Sequence, residues 1–148
     1  MTVASIALAV HVVGTAFMCG LNWLVQSVHY PLFLFAEGDR WGEFHAEHSR
    51  RIAAVVGLPW AMQGLGVFAL LVSRPERLGM GLVLAALVLA GVTVVATVLF
   101  ALPAHAQLST GFSAAAHRRL VVTNWVRTVA WTCGALVAIA MVVQALDA

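Results

Sequence analysis

The chain of 148 residues is 62% hydrophobic and 9% charged, and its mean hydropathy is +0.96. A soluble domain carries roughly 25% charged residues, so this composition excludes an ordinary soluble protein and indicates an integral membrane protein. The net charge of +2 is small, and no basic run with interleaved aromatics indicates nucleic-acid binding. Because each crossing of a ~30 Å bilayer core takes about 20 residues, the length allows about four spans and no separate soluble domain.

The positions of the charged residues delimit four apolar segments. We predict membrane spans over residues 3–35, 52–72, 78–102 and 120–146. The whole chain, 1–148, is then a single transmembrane domain. Residues 73–79, SRPERLG, contain a proline and a glycine and predict a tight turn, which makes spans two and three antiparallel neighbours. The predicted fold class is therefore all-α, an integral membrane up-down four-helix bundle.

The two longer connections, residues 36–51 and 103–119, lie on the side of the bundle opposite the tight turn. We call this end of the bundle the rim. The chain has no lysine, and the arginines are concentrated at the rim, which carries Arg40, Arg50, Arg51, Arg118 and Arg119. The tight turn carries only Arg74 and Arg77. The positive-inside rule then predicts a cytoplasmic rim, in what we expect to be a bacterial cytoplasmic membrane.

Span one carries a stripe of polar residues on one helical face. The stripe consists of His11, Thr15, Asn22, Gln26 and His29, at intervals that repeat every one or two helical turns. Asn22 and Gln26 can be interpreted as interhelical hydrogen-bonding residues. Alternatively, the stripe lines a route through the bilayer, which suits a transporter assembled as a homo-oligomer. His11, near the opposite membrane surface, is expected to be an isolated interfacial residue.

The segment 41–51, WGEFHAEHSRR, is predicted to extend the second span as a helix. It would place His45 and His48 one turn apart, and Glu43 and Glu47 one turn apart. Imidazole and carboxylate groups at this spacing can bind one metal ion from the same helical face. The alternative is a solvated amphipathic stretch in which glutamates and arginines pair with each other.

Span four begins with polar residues on one broad face, among them His117, Asn124 and Arg127. Arg127 lies about two turns inside the span, where an unpaired guanidinium is unfavourable by several kcal/mol. It should therefore extend to the rim or pair with a carboxylate or a bound anion. One hypothesis is a purely structural ion pair. The other is that Arg127 and Asn124 orient an anionic oxygen of a substrate or of reduced dioxygen.

Each of the four helices contributes at least one histidine to the rim, which indicates a shared metal or haem site. The predicted metal ligands are His29, Glu43, His45, His48, His105 and His117. The predicted catalytic residues are Arg127, Asn124 and Glu47, with Glu47 a further ligand or proton acceptor. Imidazole with carboxylate suits copper, iron or zinc, and we expect copper or iron. In the haem alternative, two of these histidines are axial ligands.

Three short motifs resemble those of a known family. The span-one ending HYPLF, the segment LPAHAQL and the opening NWVRT of span four are similar to motifs of small four-span membrane proteins that include the anthrone oxygenases of polyketide pathways. The resemblance implies oxidation of a hydrophobic aromatic molecule, with Pro103, His105, Asn124 and Arg127 lining the site. The chain departs from the family pattern at His105, where Asn is usual, and at Asn124, where His is frequent. The resemblance does not by itself require a metal.

The predicted function is that of a membrane-embedded oxidoreductase of the oxygenase type. Its expected partners are membrane lipid and a lipophilic, aromatic substrate that enters the histidine-rich pocket from the bilayer. Three alternatives remain open: a haem-binding electron carrier, a metal or small-molecule binding protein or transporter, and a structural subunit of a larger complex.

Overall fold

The structure, a computed structural model, describes residues 2–36 and 38–146 and contains four helical segments that are long and apolar enough to cross a membrane. These are Val3–His29, Trp41–Val72, Met80–Ser109 and Ala114–Leu146. No β-strand occurs among the described residues. The predicted all-α four-helix bundle of an integral membrane protein is confirmed.

The first and third spans each change helical type near the rim. Span one consists of helix α1, Val3–Leu24, and a π-helical turn, Val25–His29, and a 3₁₀ helix, Pro31–Ala36, follows it. Span two is a single helix, α2, Trp41–Val72. Span three consists of helix α3, a π-helical turn and helix α4, with the bounds Met80–Ala96, Thr97–Ala101 and Leu102–Ser109. Span four is a single helix, α5, Ala114–Leu146.

The helices extend further at the rim than the spans predicted from charge. Helix α2 begins at Trp41 rather than near residue 52, α4 continues to Ser109, and α5 begins at Ala114 rather than near residue 120. The predicted helical extension of span two over residues 41–51 is confirmed. Charged residues mark the end of the apolar segment, but a helix continues into water when its side chains pair along the helix surface.

Each π-helical turn ends two residues before a proline. A proline lacks the N–H that bonds to the carbonyl four residues earlier, and its ring clashes with that carbonyl. Pro31 follows the turn that ends at His29, and Pro103 follows the turn that ends at Ala101. The wider π-helical turns accommodate these positions, and they set the direction from which His29 and His105 enter the rim.

Helices α1 and α2 pack closely because a glycine on each helix faces the backbone of the other helix. A Cβ atom on Gly14 would lie 2.6 Å from the Gln63 nitrogen and from the Pro59 oxygen, and one on Gly66 would lie 2.6 Å from the His11 nitrogen. Small residues allow such close backbone approach between membrane helices. Helix α1 also packs on α5, and α5 on α3, whereas α2 and α3 contact each other less extensively.

The polar stripe of α1 is buried in contacts with α2 and α5. The Asn22 amide donates to the Thr128 hydroxyl at 2.6 Å, and the Asn124 amide donates to Gln26 Oε1 at 2.8 Å. These contacts support the interpretation of Asn22 and Gln26 as interhelical hydrogen-bonding residues. The expectation that His11 is an isolated interfacial residue is wrong, because it is only 1% exposed and its Nδ1 donates to the Gln63 carbonyl at 2.9 Å.

Candidate histidine site at the rim

Four of the five predicted rim histidines form one cluster, which we call the imidazole cluster. His29 enters from the end of span one, His45 and His48 from the first turns of α2, and His105 from α4. Their rings follow the order His29, His48, His105, His45, with centroids 4.7, 5.6 and 5.4 Å apart. Three spans that are distant in sequence therefore contribute imidazoles to one place.

The imidazole nitrogens are paired with one another. His29 Nε2 lies 2.7 Å from His48 Nδ1, and His45 Nε2 lies 3.2 Å from His105 Nδ1. His48 Nε2 is buried and has no hydrogen-bond partner among the described residues. A buried unpaired nitrogen costs free energy, so this atom is the position in the cluster where a ligand would be most favourable.

Two aromatic residues hold together the elements that carry the cluster. Phe33 is 0% exposed and makes edge-to-face contacts with two imidazoles. The centroid of its ring lies 5.3 Å from that of His29 and 5.0 Å from that of His48. The Trp41 indole donates to the Leu108 carbonyl at 2.7 Å, which joins the start of α2 to the end of α4. Because Phe33 and Trp41 hold these elements together, the four imidazoles are positioned by packing as well as by hydrogen bonds.

Tyr30 is a central residue of the site that the sequence analysis did not identify. Its hydroxyl lies 3.2 Å from His105 Nε2, and its carbonyl accepts a 2.7 Å hydrogen bond from His117 Nε2. Burial raises the pKa of the Tyr30 phenol, while charge and hydrogen bonding from Arg127 act in the opposite direction. The signal available in the sequence was a tyrosine directly after His29 and before Pro31.

His117 lies at the rim but outside the imidazole cluster. Its Nε2 donates to Tyr30, and its ring lies between Phe33 and Phe112 at centroid distances of 6.1 and 5.9 Å. The structure thus places the fifth predicted histidine beside the cluster, where it fixes the backbone of Tyr30.

Among the described residues, neither predicted carboxylate forms an ion pair with an imidazole. Glu47 forms ion pairs with Arg50 at 2.7 Å and Arg51 at 2.6 Å, and Glu43 pairs with Arg40 at 3.5 Å. The arginines and Glu43 are largely exposed, and Glu47 is 45% exposed. The glutamate and arginine pairing that the sequence left open as an alternative is therefore present on the surface of α2.

Arg127 lies between the imidazole cluster and the centre of the bundle. Its guanidinium carbon is 5.2 Å from the centroid of the Trp131 ring, and its Nε is buried with no hydrogen-bond partner among the described residues. No ion pair joins it to a carboxylate within residues 2–36 and 38–146. Its charge is instead placed against the π-face of Trp131 and the phenol of Tyr30, which stabilises it in part.

Asn124 lies one turn before Arg127, and its NH₂ group donates to Gln26. Its Oδ1 has no partner in the described part of the chain. The free atom of Asn124 is thus an acceptor. An acceptor repels an anionic oxygen and suits a hydroxyl group or a water molecule.

A groove of about 920 Å³ opens beside His29 and His48. It lies between the 3₁₀ helix after span one and the first half of α2. One part of its lining is apolar and includes Phe35, Phe44 and Val55, and another part carries the charged side chains of the exposed ion pairs. A lining of this kind suits a molecule with an apolar body and a polar end.

The donor set fits a transition-metal ion, although the side chains are not arranged around one. Within the described ranges, no group of three or more His, Cys, Asp or Glu residues is placed to hold a metal ion. With metal–nitrogen bonds of about 2.0 Å, two ligating nitrogens at roughly 90–109° are ~2.8–3.3 Å apart, close to the separations of both imidazole pairs. Metal binding would require side-chain rotation that brings the two pairs toward one ion.

Compared with known proteins, the chain matches no protein-family model, no curated protein and no solved structure. The fold by itself defines the class of the protein, an integral membrane four-helix bundle. Within that bundle, the candidate functional feature is the imidazole cluster.

Proposed function

We propose that the chain is a membrane oxidoreductase of the oxygenase type, which oxidises a lipophilic substrate at a transition-metal ion bound by the imidazole cluster. The observation that carries the proposal is the mutual contact of four imidazoles from three spans beside an open groove. Ionisable side chains in membrane-spanning helices are rare and usually mark a functional site.

The ligands in this proposal are His29, His45, His48 and His105. Imidazole nitrogens suit copper, iron and zinc, and only copper and iron change oxidation state in such a site. The metal would supply the redox chemistry that the side chains cannot provide. His117 and Glu43, also predicted as ligands, would have to leave their present hydrogen-bond and ion-pair partners to reach the same ion.

The roles of the polar residues differ in part from those expected from sequence. Arg127 remains the residue proposed to orient an anionic oxygen, because it carries an unpaired donor and no described carboxylate neutralises it. Asn124 is proposed to accept a hydrogen bond from a hydroxyl group, since its amide is occupied by Gln26. Glu47 could accept a proton only after it separates from Arg50 and Arg51.

The substrate is proposed to reach the cluster through the groove. Its apolar wall suits an aromatic body, and the charged residues at its edge suit a polar substituent. This class of substrate is also the one implied by the resemblance of the HYPLF, LPAHAQL and NWVRT motifs to the anthrone oxygenases. We place the protein in the bacterial cytoplasmic membrane with the rim in the cytoplasm, on the arginine distribution.

The haem alternative has less support from the geometry. Neither nitrogen pair leaves room for a porphyrin, because His29 and His48 are 2.7 Å apart and His45 and His105 are 3.2 Å apart, so haem would require both pairs to separate, a larger rearrangement than a metal ion requires. The transport alternative is also less favoured, because the polar stripe of α1 is engaged in interhelical hydrogen bonds rather than lining a channel.

Dioxygen uptake tests the proposed function. Protein in nanodiscs, loaded with copper or iron, should consume dioxygen when a panel of lipophilic phenols and hydroaromatics is added, and the metal-free protein should not. His48→Ala should abolish the uptake, whereas the exposed control Gln107→Ala, two residues from His105, should retain it. Uptake that does not depend on added metal, or that survives His48→Ala, would contradict the proposal.

A further inference from the structure

A second groove lies between α2 and α3, away from the imidazole cluster, and has a volume of about 580 Å³. It exists because small residues leave space between these two helices. Gly57, Gly64 and Gly91 line it, and a Cβ atom on any of them would have no atom within 4 Å. The remaining lining is apolar except for Gln63.

Gln63 has an unsatisfied hydrogen-bond donor. The side chain is 2% exposed, and its Oε1 accepts a 2.9 Å hydrogen bond from the Trp131 indole. Because an indole N–H can only donate, the atom facing Trp131 must be the oxygen, and the other atom must be the NH₂ group. That Nε2 makes no hydrogen bond to another described residue, and it is not one of the fully buried unpaired atoms, so it is accessible from the groove that Gln63 lines. Leaving an amide donor unpaired in hydrocarbon is unfavourable, so the site favours a molecule that supplies an acceptor.

The depth of Gln63 limits which acceptor can reach it. Ile52 and Val72 bound the apolar part of α2, and Gln63 lies roughly 16 Å from the first and roughly 14 Å from the second along the helix. It is therefore near the middle of the ~30 Å hydrocarbon core. The ester carbonyls of lipids lie at the membrane interface, about 15 Å away, so they cannot bond to this amide without leaving the interface.

We infer that the groove between α2 and α3 binds a membrane-soluble quinone or ketone, whose carbonyl oxygen accepts a hydrogen bond from Gln63 Nε2. The apolar walls formed by residues such as Trp60, Leu87 and Val94 contact the body of the ligand. This site is separate from the imidazole cluster and does not depend on the function proposed for it.

Side-chain amide NMR tests the hydrogen bond directly. The protein is labelled with ¹⁵N-glutamine in nanodiscs, and the Gln63 signal is assigned by its loss in Gln63→Met. Addition of a short-chain alkylated benzoquinone should shift the Gln63 NH₂ resonance saturably, and the matching alkylbenzene, which lacks a carbonyl, should not. A Gln63 signal that responds equally to both compounds, or to neither, would overturn the inference.

Groove-filling variants test the location without altering the bonds of Gln63. Gly64→Leu and Gly91→Leu place a side chain in the open space and should weaken quinone binding about tenfold or more. Gly81→Leu is the matched control, because its Cβ also meets no atom within 4 Å but it lies outside the groove lining. Unchanged binding in both filled variants, or filled variants that dissociate an oligomer instead, would overturn the inference and assign the groove to no ligand or to a second copy of the chain.

Discussion

At the scale of single residues, Tyr30 connects the parts of the candidate site. Its hydroxyl faces His105, its carbonyl holds His117, and its ring is 4% exposed. A residue that hydrogen-bonds the second nitrogen of a metal-binding histidine orients the ring and selects its tautomer. In the proposed metal site, Tyr30 would act through His105 rather than by direct contact with the metal.

Tyr30→Phe is expected to lower the affinity of the protein for copper by about ten- to a hundredfold, because loss of such a partner leaves His105 unoriented. The Phe ring preserves the packing on Phe33, so stability should fall only by the loss of the phenol hydrogen bond, about 1–3 kcal/mol. Metal titration in detergent measures the effect. The control Thr123→Val removes a hydroxyl that bonds only carbonyls of its own helix. Equal copper affinities for Tyr30→Phe and wild type would show that the phenol does not orient His105.

Glu47→Gln is expected to leave copper affinity unchanged. The carboxylate is turned toward Arg50 and Arg51 and does not contact an imidazole. Exposed ion pairs of this kind contribute little to stability, so the midpoint of unfolding should also change little. The same titration and a melting curve provide the measurements, and a loss of metal binding would support the role of further ligand that the sequence suggested for Glu47.

The sequence predicted which histidines meet at the rim, but not how the individual side chains pair. Five histidines near the ends of apolar segments were sufficient to place them at one level. The position of Tyr30 beside His105 depends on the helix rotation at the two π-helical turns, and His117 is separated from the other four by its hydrogen bond to the Tyr30 carbonyl. Single-residue patterns carry no information on that rotation.

At the scale of helices, the close packing of α1 on α2 rests on glycine. Gly66→Ala would place a Cβ 2.6 Å from the His11 nitrogen and 2.8 Å from its Cα, both backbone atoms that cannot move aside. We expect this variant to destabilise the protein by about 1–3 kcal/mol, the usual effect of overpacking.

Gly64→Ala is the matched control in the same helix, because its Cβ would meet no atom within 4 Å. It should be neutral or stabilise the protein by about 0.4–1 kcal/mol through a smaller entropy loss on folding. Reversible unfolding in mixed micelles compares the two variants. If Gly66→Ala is as stable as Gly64→Ala, the two helices are not held at the distance seen in the structure.

Helix boundaries illustrate the limit of composition-based prediction. The tight turn after Val72 was predicted because a proline and a glycine interrupt the helix there. The helical extension over residues 41–51 was predicted, and i, i+3 and i, i+4 pairs such as Glu47 with Arg50 and Arg51 stabilise it. The continuation of α4 to Ser109 and the start of α5 at Ala114 were not predicted, because the spans were ended where the apolar segments end.

At the scale of the whole molecule, four spans place the start of α1 and the end of α5 on the side opposite the rim. Cysteines at Glu76, in the tight turn, and at Thr110, in the rim, report the orientation in a background with Cys19 and Cys133 replaced by Ala. With the rim in the cytoplasm, a membrane-impermeant maleimide should label Glu76→Cys in intact cells and Thr110→Cys only after lysis. The reverse pattern would place the imidazole cluster on the outer side.

Elemental analysis of the purified protein measures whether the imidazole cluster binds a transition metal. We expect close to one copper or iron per chain in wild-type protein and a clear loss in His48→Ala, with the control Gln107→Ala unchanged. Substoichiometric amounts of every transition metal in the wild type after metal loading, together with an absorption spectrum that lacks a Soret band, would contradict both the metal and the haem versions of the site.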